Sequence, residues 1–171
     1  MGFYIFIIFV IIFLFFLLSM VWPPDSPWAP WWRTSKKTAR AMCNLAKVKK
    51  GDIVYDLGSG EGTALLIAAK EFEAKGVGVE IDPLRFFYSK FILKTNGLSN
   101  KVTIKKGNLF KQDISEASAI FVYLVPKTLE RLLPKFKKEL KKGTRIVSFR
   151  YEMNLNLKTY DKENEIRLYI I

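Results

Sequence analysis

From Phe3 to Trp22 the chain is apolar and uncharged, with Tyr4 and Ser19 as its polar exceptions. Beyond Ser35 the pattern changes, and short apolar runs alternate with stretches of helical spacing. Such alternation predicts an α/β fold around a parallel sheet. "TSKKTARAMCNLAKV" predicts a helix with Thr34 or Ser35 as its N-cap. "DIVYDLG" is too apolar to have a wet face and reads as a central parallel strand. "GTALLIAAKEF" follows as a helix and "KGVGVEI" as a second strand. In "DPLRFFYSKFILKTNG", Asp82 is placed to cap a helix, Pro83 to occupy its first turn and Gly97 to close it. Phe86, Phe87, Tyr88 and Phe91 on that helix are read as core packing rather than as a ligand cage. "KVTIKKGN" and "ASAIFVYLV" give a third and a fourth strand. "KTLERLLPKFKKELKKG" is helical, with Pro134 as a kink or as the start of a second helical piece. "TRIVSFRY" is a fifth strand, and two more are expected near Leu155–Tyr160 and Glu165–Ile171.

The leading apolar stretch has the length of a membrane span, since twenty helical residues rise about 30 Å, the thickness of a bilayer's hydrocarbon core. It lacks the basic start and small-residue cleavage site of a signal peptide. The expectation is therefore a retained transmembrane helix over residues 1–22. A Trp/Pro-rich interfacial linker would follow over 23–33, and one domain over 34–171. Arg33, Lys36, Lys37 and Arg40 follow the span and no basic residue precedes it, which places the domain on the cytoplasmic side. Trp22, Trp28, Trp31 and Trp32 suit a headgroup belt or a cap on the domain.

Composition narrows the chemistry. The 171 residues contain no histidine, which excludes Ser-His-Asp and Cys-His catalysis and the histidine zinc motifs. A single cysteine, Cys43, permits neither an internal disulfide nor a metal cluster, and it reads as a small buried apolar residue. The net charge of +12 is densest over Lys135–Arg145. A solvated helix face, anionic lipid and nucleic acid are its readings, in that order of preference.

The candidate chemistry centres on "VYDLGSGEG". Gly58, Gly60 and Gly62 alternate with side chains, and Asp56 precedes them. A dinucleotide fingerprint spaces its glycines as G-x-G-x-x-G and seats a pyrophosphate on the next helix. Here Thr63 stands at the third glycine's place, and an acidic residue is a poor neighbour for a pyrophosphate. Asp56 suits the cationic amino group of S-adenosylmethionine instead. Glu80, at the end of the second strand, is placed for ribose hydroxyls, and Asn108, after the third, for an adenine edge.

"VYDLGSGEG", "VGVEID" and "KKGNLF" resemble the class I, seven-β-strand, S-adenosylmethionine-dependent methyltransferases. The longer stretches "TSKKTARAMCNLAKVKKGDIVYDLGSGEG", "FKQDISEASAIF" and "KKELKKGTRIVS" resemble the small protein-lysine methyltransferases of archaea and mitochondria. The resemblance implies a Rossmann-like, doubly wound, mostly parallel seven-stranded sheet. It also implies that Asp56, Gly58, Gly60, Gly62, Glu80 and Asn108 line the cofactor site. Two features depart from it: the tail after the fifth strand is short, and the fourth strand ends in "VYLVP" rather than in Asn/Asp-Pro-Pro-Tyr.

Methyl transfer to an amine is an in-line displacement that requires a free lone pair and an aligned approach. Freeing the lone pair of an ordinary lysine at pH 7 costs about 4.6 kcal/mol. Tyr123 and backbone carbonyls near Leu124 are expected to orient that amine. The leading expectation is a membrane-anchored methyltransferase acting on lysines of proteins at or near the membrane. RNA, lipid or a small metabolite as acceptor, and a silent cofactor-binding scaffold, stay open as alternatives.

Overall fold

The computed structural model describes residues 2–21 and 32–171. Seven strands form one sheet: β1 (Ile53–Leu57), β2 (Lys75–Glu80), β3 (Val102–Lys106), β4 (Ala119–Val122), β5 (Arg145–Phe149), β6 (Leu157–Asp161) and β7 (Ile166–Ile170). Their order across the sheet is β3-β2-β1-β4-β5-β7-β6. The first five run parallel, and β7 is antiparallel between β5 and β6. The short tail therefore suffices, because an antiparallel pair needs only a tight turn and no crossover helix.

Among the described residues there are five α-helices: α1 (Gly2–Val21), ahead of the sheet in the chain, and α2 (Lys36–Leu45), α3 (Thr63–Glu71), α4 (Pro83–Thr95) and α5 (Pro126–Glu139) around its strands. The two-residue period of the strands divides the core into two layers. Val54 and Phe121 pack with α2 and α3 on one face. Tyr55, Leu57, Ile120 and Val122 pack with Leu129, Leu132 and Phe136 of α5 on the other. Each fully buried aliphatic side chain contributes about 2 kcal/mol relative to exposure.

The boundaries follow local chemistry. Ser35 caps α2 by accepting from Thr38 N–H at 3.0 Å. Asp82 caps α4 by accepting from Arg85 N–H at 2.8 Å, with Pro83 in the first turn and Gly97 at φ +70° beyond its end. α5 is a single helix with Pro126 in its first turn, and Pro134 lies inside it. Cys43 is buried in the core, and burial pushes its thiol up to about 12, so it is an inert packing residue.

Two expectations need correction. Among the described residues, no helix is long and apolar enough to cross a membrane. The transmembrane helix, and the single-pass placement with a cytoplasmic domain that depended on it, are not supported. The linker expected over 23–33 lies outside the described residues except for Trp32 and Arg33.

The second correction concerns α4. Its buried stripe is Arg85, Ser89 and Leu93, a spacing of four that puts small Ser89 beneath the glycine loop. Phe86 packs against the core from a partly buried position, but Phe87, Tyr88 and Phe91 are exposed. The apolar run on this helix is wider than the face the sheet covers.

Candidate functional site

The glycine loop leaves β1 where the strand order reverses, with β2 on one side and β4 on the other. In open α/β sheets ligands bind outside the strand ends at such a switch point. Gly58 and Gly62 have φ of +84° and +77°. A Cβ at Gly58 would come within 3.2 Å of Leu124 Cδ2, and one at Gly62 within 3.4 Å of Ser89 Cβ. The left-handed backbone disfavours a side chain at both positions, and at Gly58 the Leu124 side chain also crowds the space.

The direction of the loop's amides decides what it can hold. Gly58 and Ser59 both donate to Val79 O, at 2.9 and 3.0 Å. Gly60 N–H donates to Glu80 Oε2 at 2.7 Å, and Gly62 N–H donates to Ser59 O at 2.8 Å. Three of these amides, which a phosphate cradle would turn outward, are spent holding the loop on β2, and the fourth closes a turn within the loop.

The polar groups beside the loop are carboxylates. Asp56 and Glu80 are both buried and line the same pocket. Burial, then the neighbouring Glu80 charge, raises Asp56 to about 7. Burial also raises Glu80, against backbone N–H donors from Asp82 and Gly60 that hold its charged form. Glu80 Oε1 accepts from Asp82 N–H at 2.9 Å, so each of its oxygens already takes one backbone donor and keeps a second lone pair. A pyrophosphate would meet two buried acids here, whereas a cation would relieve both.

The remaining wall comes from distant segments. Asn108 lines the pocket while its Oδ1 accepts from Phe110 N–H at 2.9 Å, which turns the chain into a short 3-10 segment. Arg131 lies over the Phe110 ring at 4.6 Å. Tyr123 sits just beyond β4, half-buried, with its ring 4.5 Å from Phe149 and 5.7 Å from Trp32. Burial raises the Tyr123 phenol against the pull of Arg150, so it stays protonated at neutral pH. All seven residues singled out from the sequence reach this pocket or the loop that forms it.

Sequence reasoning missed the strap that closes the pocket. Arg33 Nε and Nη2 both donate to Glu61 Oε2, at 3.0 and 2.6 Å, tying the segment before α2 to the glycine loop. Trp32 on that strap lines the pocket and caps the domain. Trp22, Trp28 and Trp31 lie outside the described residues. No local spacing signals the strap, because Arg33 and Glu61 are far apart in sequence.

Residues 56–158, which hold the loop, Glu80, Asn108 and Tyr123, match the family described as the ANTKMT methyltransferase domain. The chain belongs to the ANTKMT methyltransferase family. It is 43% identical over 135 residues to a protein-lysine N-methyltransferase of Saccharolobus islandicus, across 78% of this chain and 82% of that one. An adenine nucleotide translocase lysine N-methyltransferase of Mus musculus is 27% identical over 124 residues. There the match covers 72% of this chain and 54% of the relative's length. A solved RNA methyltransferase from Salinibacter ruber, in complex with S-adenosyl-L-homocysteine, has a TM-score of 0.79 at 34% identity. That match covers 82% of this chain and 94% of that one. This ANTKMT-family chain is thus a methyltransferase that uses S-adenosylmethionine. The buried carboxylate pair and the inward loop amides fit such a cationic cofactor.

Proposed function

We propose that this chain methylates lysine side chains of proteins, with Asp56, Gly58, Gly60, Gly62, Glu80 and Asn108 forming the cofactor site. The observation that carries the acceptor class is the identity to the Saccharolobus islandicus lysine enzyme across most of both chains. Bound here, S-adenosylmethionine supplies a methyl group on a sulfonium, with its own cationic amino group. Asp56 takes that amino group as a carboxylate, the charged form being favoured once a cation replaces solvent. Glu80 keeps its backbone donors and offers its outer lone pairs to the ribose hydroxyls. Asn108, its oxygen engaged by Phe110, would have its amide nitrogen left to meet the adenine edge.

The acceptor arrives beside Tyr123, whose neutral phenol accepts a hydrogen bond from the amine and orients its lone pair. No strong base is required. Partial burial near a sulfonium lowers the amine's pKa, and water takes the proton. Tyr123→Phe should lower kcat on a lysine peptide about tenfold while cofactor affinity holds. Full activity in this variant would remove Tyr123 from the role.

RNA is the second reading, favoured by the name of the Salinibacter ruber structure and by the +12 charge. Purified protein offered labelled S-adenosylmethionine with mixed protein and RNA from one lysate separates the two. The proposal expects protease-sensitive label. RNase-sensitive label, with binding that falls steeply in salt, would instead establish the RNA reading.

A further inference from the structure

We infer that Trp32, Tyr123 and Tyr151 form an aromatic subsite that recognises the acceptor amine as a cation and holds it more tightly with each methyl group gained; the inference rests on the lysine reading above. The three rings come from three separate segments: the strap before α2, the end of β4 and the residues after β5. Trp32 and Tyr123 each stand 6.5 Å from Tyr151, with ring planes inclined by 23° and 29°. Phe149 packs against Tyr123, its ring centre 4.5 Å away. The core aromatics Phe121, Phe136 and Tyr169 are fully buried, but these rings stay open: Trp32 is 47% exposed, and the others are half-buried. Trp32 and Tyr123 also face the pocket that contains Asp56 and Glu80.

The rings already attract a cation. Arg150 Cζ lies 5.5 Å from the Trp32 ring centre and 5.6 Å from that of Phe149. Glu165, with Oε2 3.3 Å from Arg150 Nε, engages that arginine. A ring cluster of this kind discriminates among amines differently from a carboxylate. An unmethylated ammonium is strongly hydrated and favours carboxylates. Each added methyl spreads the charge and adds apolar surface, so the cost of desolvation falls while the attraction of the ring faces remains. In each transfer the acceptor nitrogen, neutral after losing a proton to water, forms the new N–C bond with its lone pair. The C–S bond breaks with its electron pair left on sulfur. A quaternary nitrogen has no lone pair, so the sequence ends there, and products retained by the rings accumulate as higher methylated forms.

The test measures binding of two peptides to the full chain loaded with S-adenosyl-L-homocysteine. One carries trimethyllysine and the other its neutral tert-butyl isostere, equal in shape but uncharged. The trimethyllysine peptide should bind about tenfold tighter. Tyr151→Phe should keep that preference, and Tyr151→Leu and Trp32→Leu should erase it, with a cooperative urea-unfolding transition confirming that each variant is folded. Equal affinities in the wild-type chain, or a preference that survives loss of either ring, would overturn the subsite. Labelling of unmethylated lysine by the same wild-type chain, given methyl-labelled S-adenosylmethionine in place of S-adenosyl-L-homocysteine, separates the two levels. Lysine labelled without the charge preference sinks the subsite alone, while unlabelled lysine despite cofactor binding sinks the lysine reading beneath it.

Discussion

Asp56 combines burial with a neighbouring acid, and its titration is the most direct residue-level consequence of the site. Its carboxyl is raised from 3.8 to about 7 in the folded chain. Between those values the folded state binds a proton that the unfolded state lacks. This group therefore contributes stability at low pH that is lost as pH rises through about 7. Glu80 is raised as well and acts in the same direction. A bound cation reverses the balance by favouring the carboxylate. Cofactor affinity should then increase as pH rises from 5.5 to about 7 and level off above it. Calorimetry at pH 6 in buffers of different ionisation heat should detect proton release on binding to the wild-type chain. Asp56→Asn should bind at least tenfold more weakly, by the loss of about 1.4 kcal/mol or more, and should release no proton from this position.

Two elements carry predictions about stability. Gly78 lies in the middle of β2, and a Cβ there would come within 2.6 Å of Ile104 Cδ1, 2.7 Å of Ser59 Oγ and 2.9 Å of Leu65 Cδ1. Gly78→Ala should cost about 1–3 kcal/mol in urea unfolding and weaken cofactor binding by displacing Ser59 in the glycine loop. Arg145 of β5 ties the α2–β1 connection to the sheet. It donates to Ala46 O at 2.8 Å, Lys47 O at 3.0 Å and Asp52 Oδ1 at 2.7 Å. Arg145→Ala strands a buried carboxylate and should cost about 3 kcal/mol by the same measurement. The two positions show what a sequence displays. The strands and caps were legible because alternation, Pro83 and Gly97 are local signals, and the loop was legible because its glycines and Asp56 are adjacent. Arg145 contacts residues almost a hundred positions away, so nothing near it announces its role. Phe87, Tyr88 and Phe91 misled for the opposite reason: an apolar run states that a residue can be buried, and the neighbouring elements decide whether it is.

At the scale of the molecule, a switch-point pocket, inward loop amides and paired buried acids account for a cofactor with a cationic group. The strap of Trp32 and Arg33 closes that pocket through Glu61. Ligand that binds the folded state alone should stabilise the whole domain by about 2.7 kcal/mol at a hundred times its Kd. S-adenosyl-L-homocysteine should accordingly raise the melting temperature of the wild-type chain and leave Asp56→Ala nearly unchanged. The most direct test of the central claim is the chemical identity of the product. Purified chain, methyl-labelled S-adenosylmethionine and a protein fraction should yield label that, after complete acid hydrolysis, co-elutes with methylated lysines and is absent with Asp56→Ala. Label recovered in another amino acid, in nucleotide, or undiminished in the Asp56→Ala reaction would contradict the account.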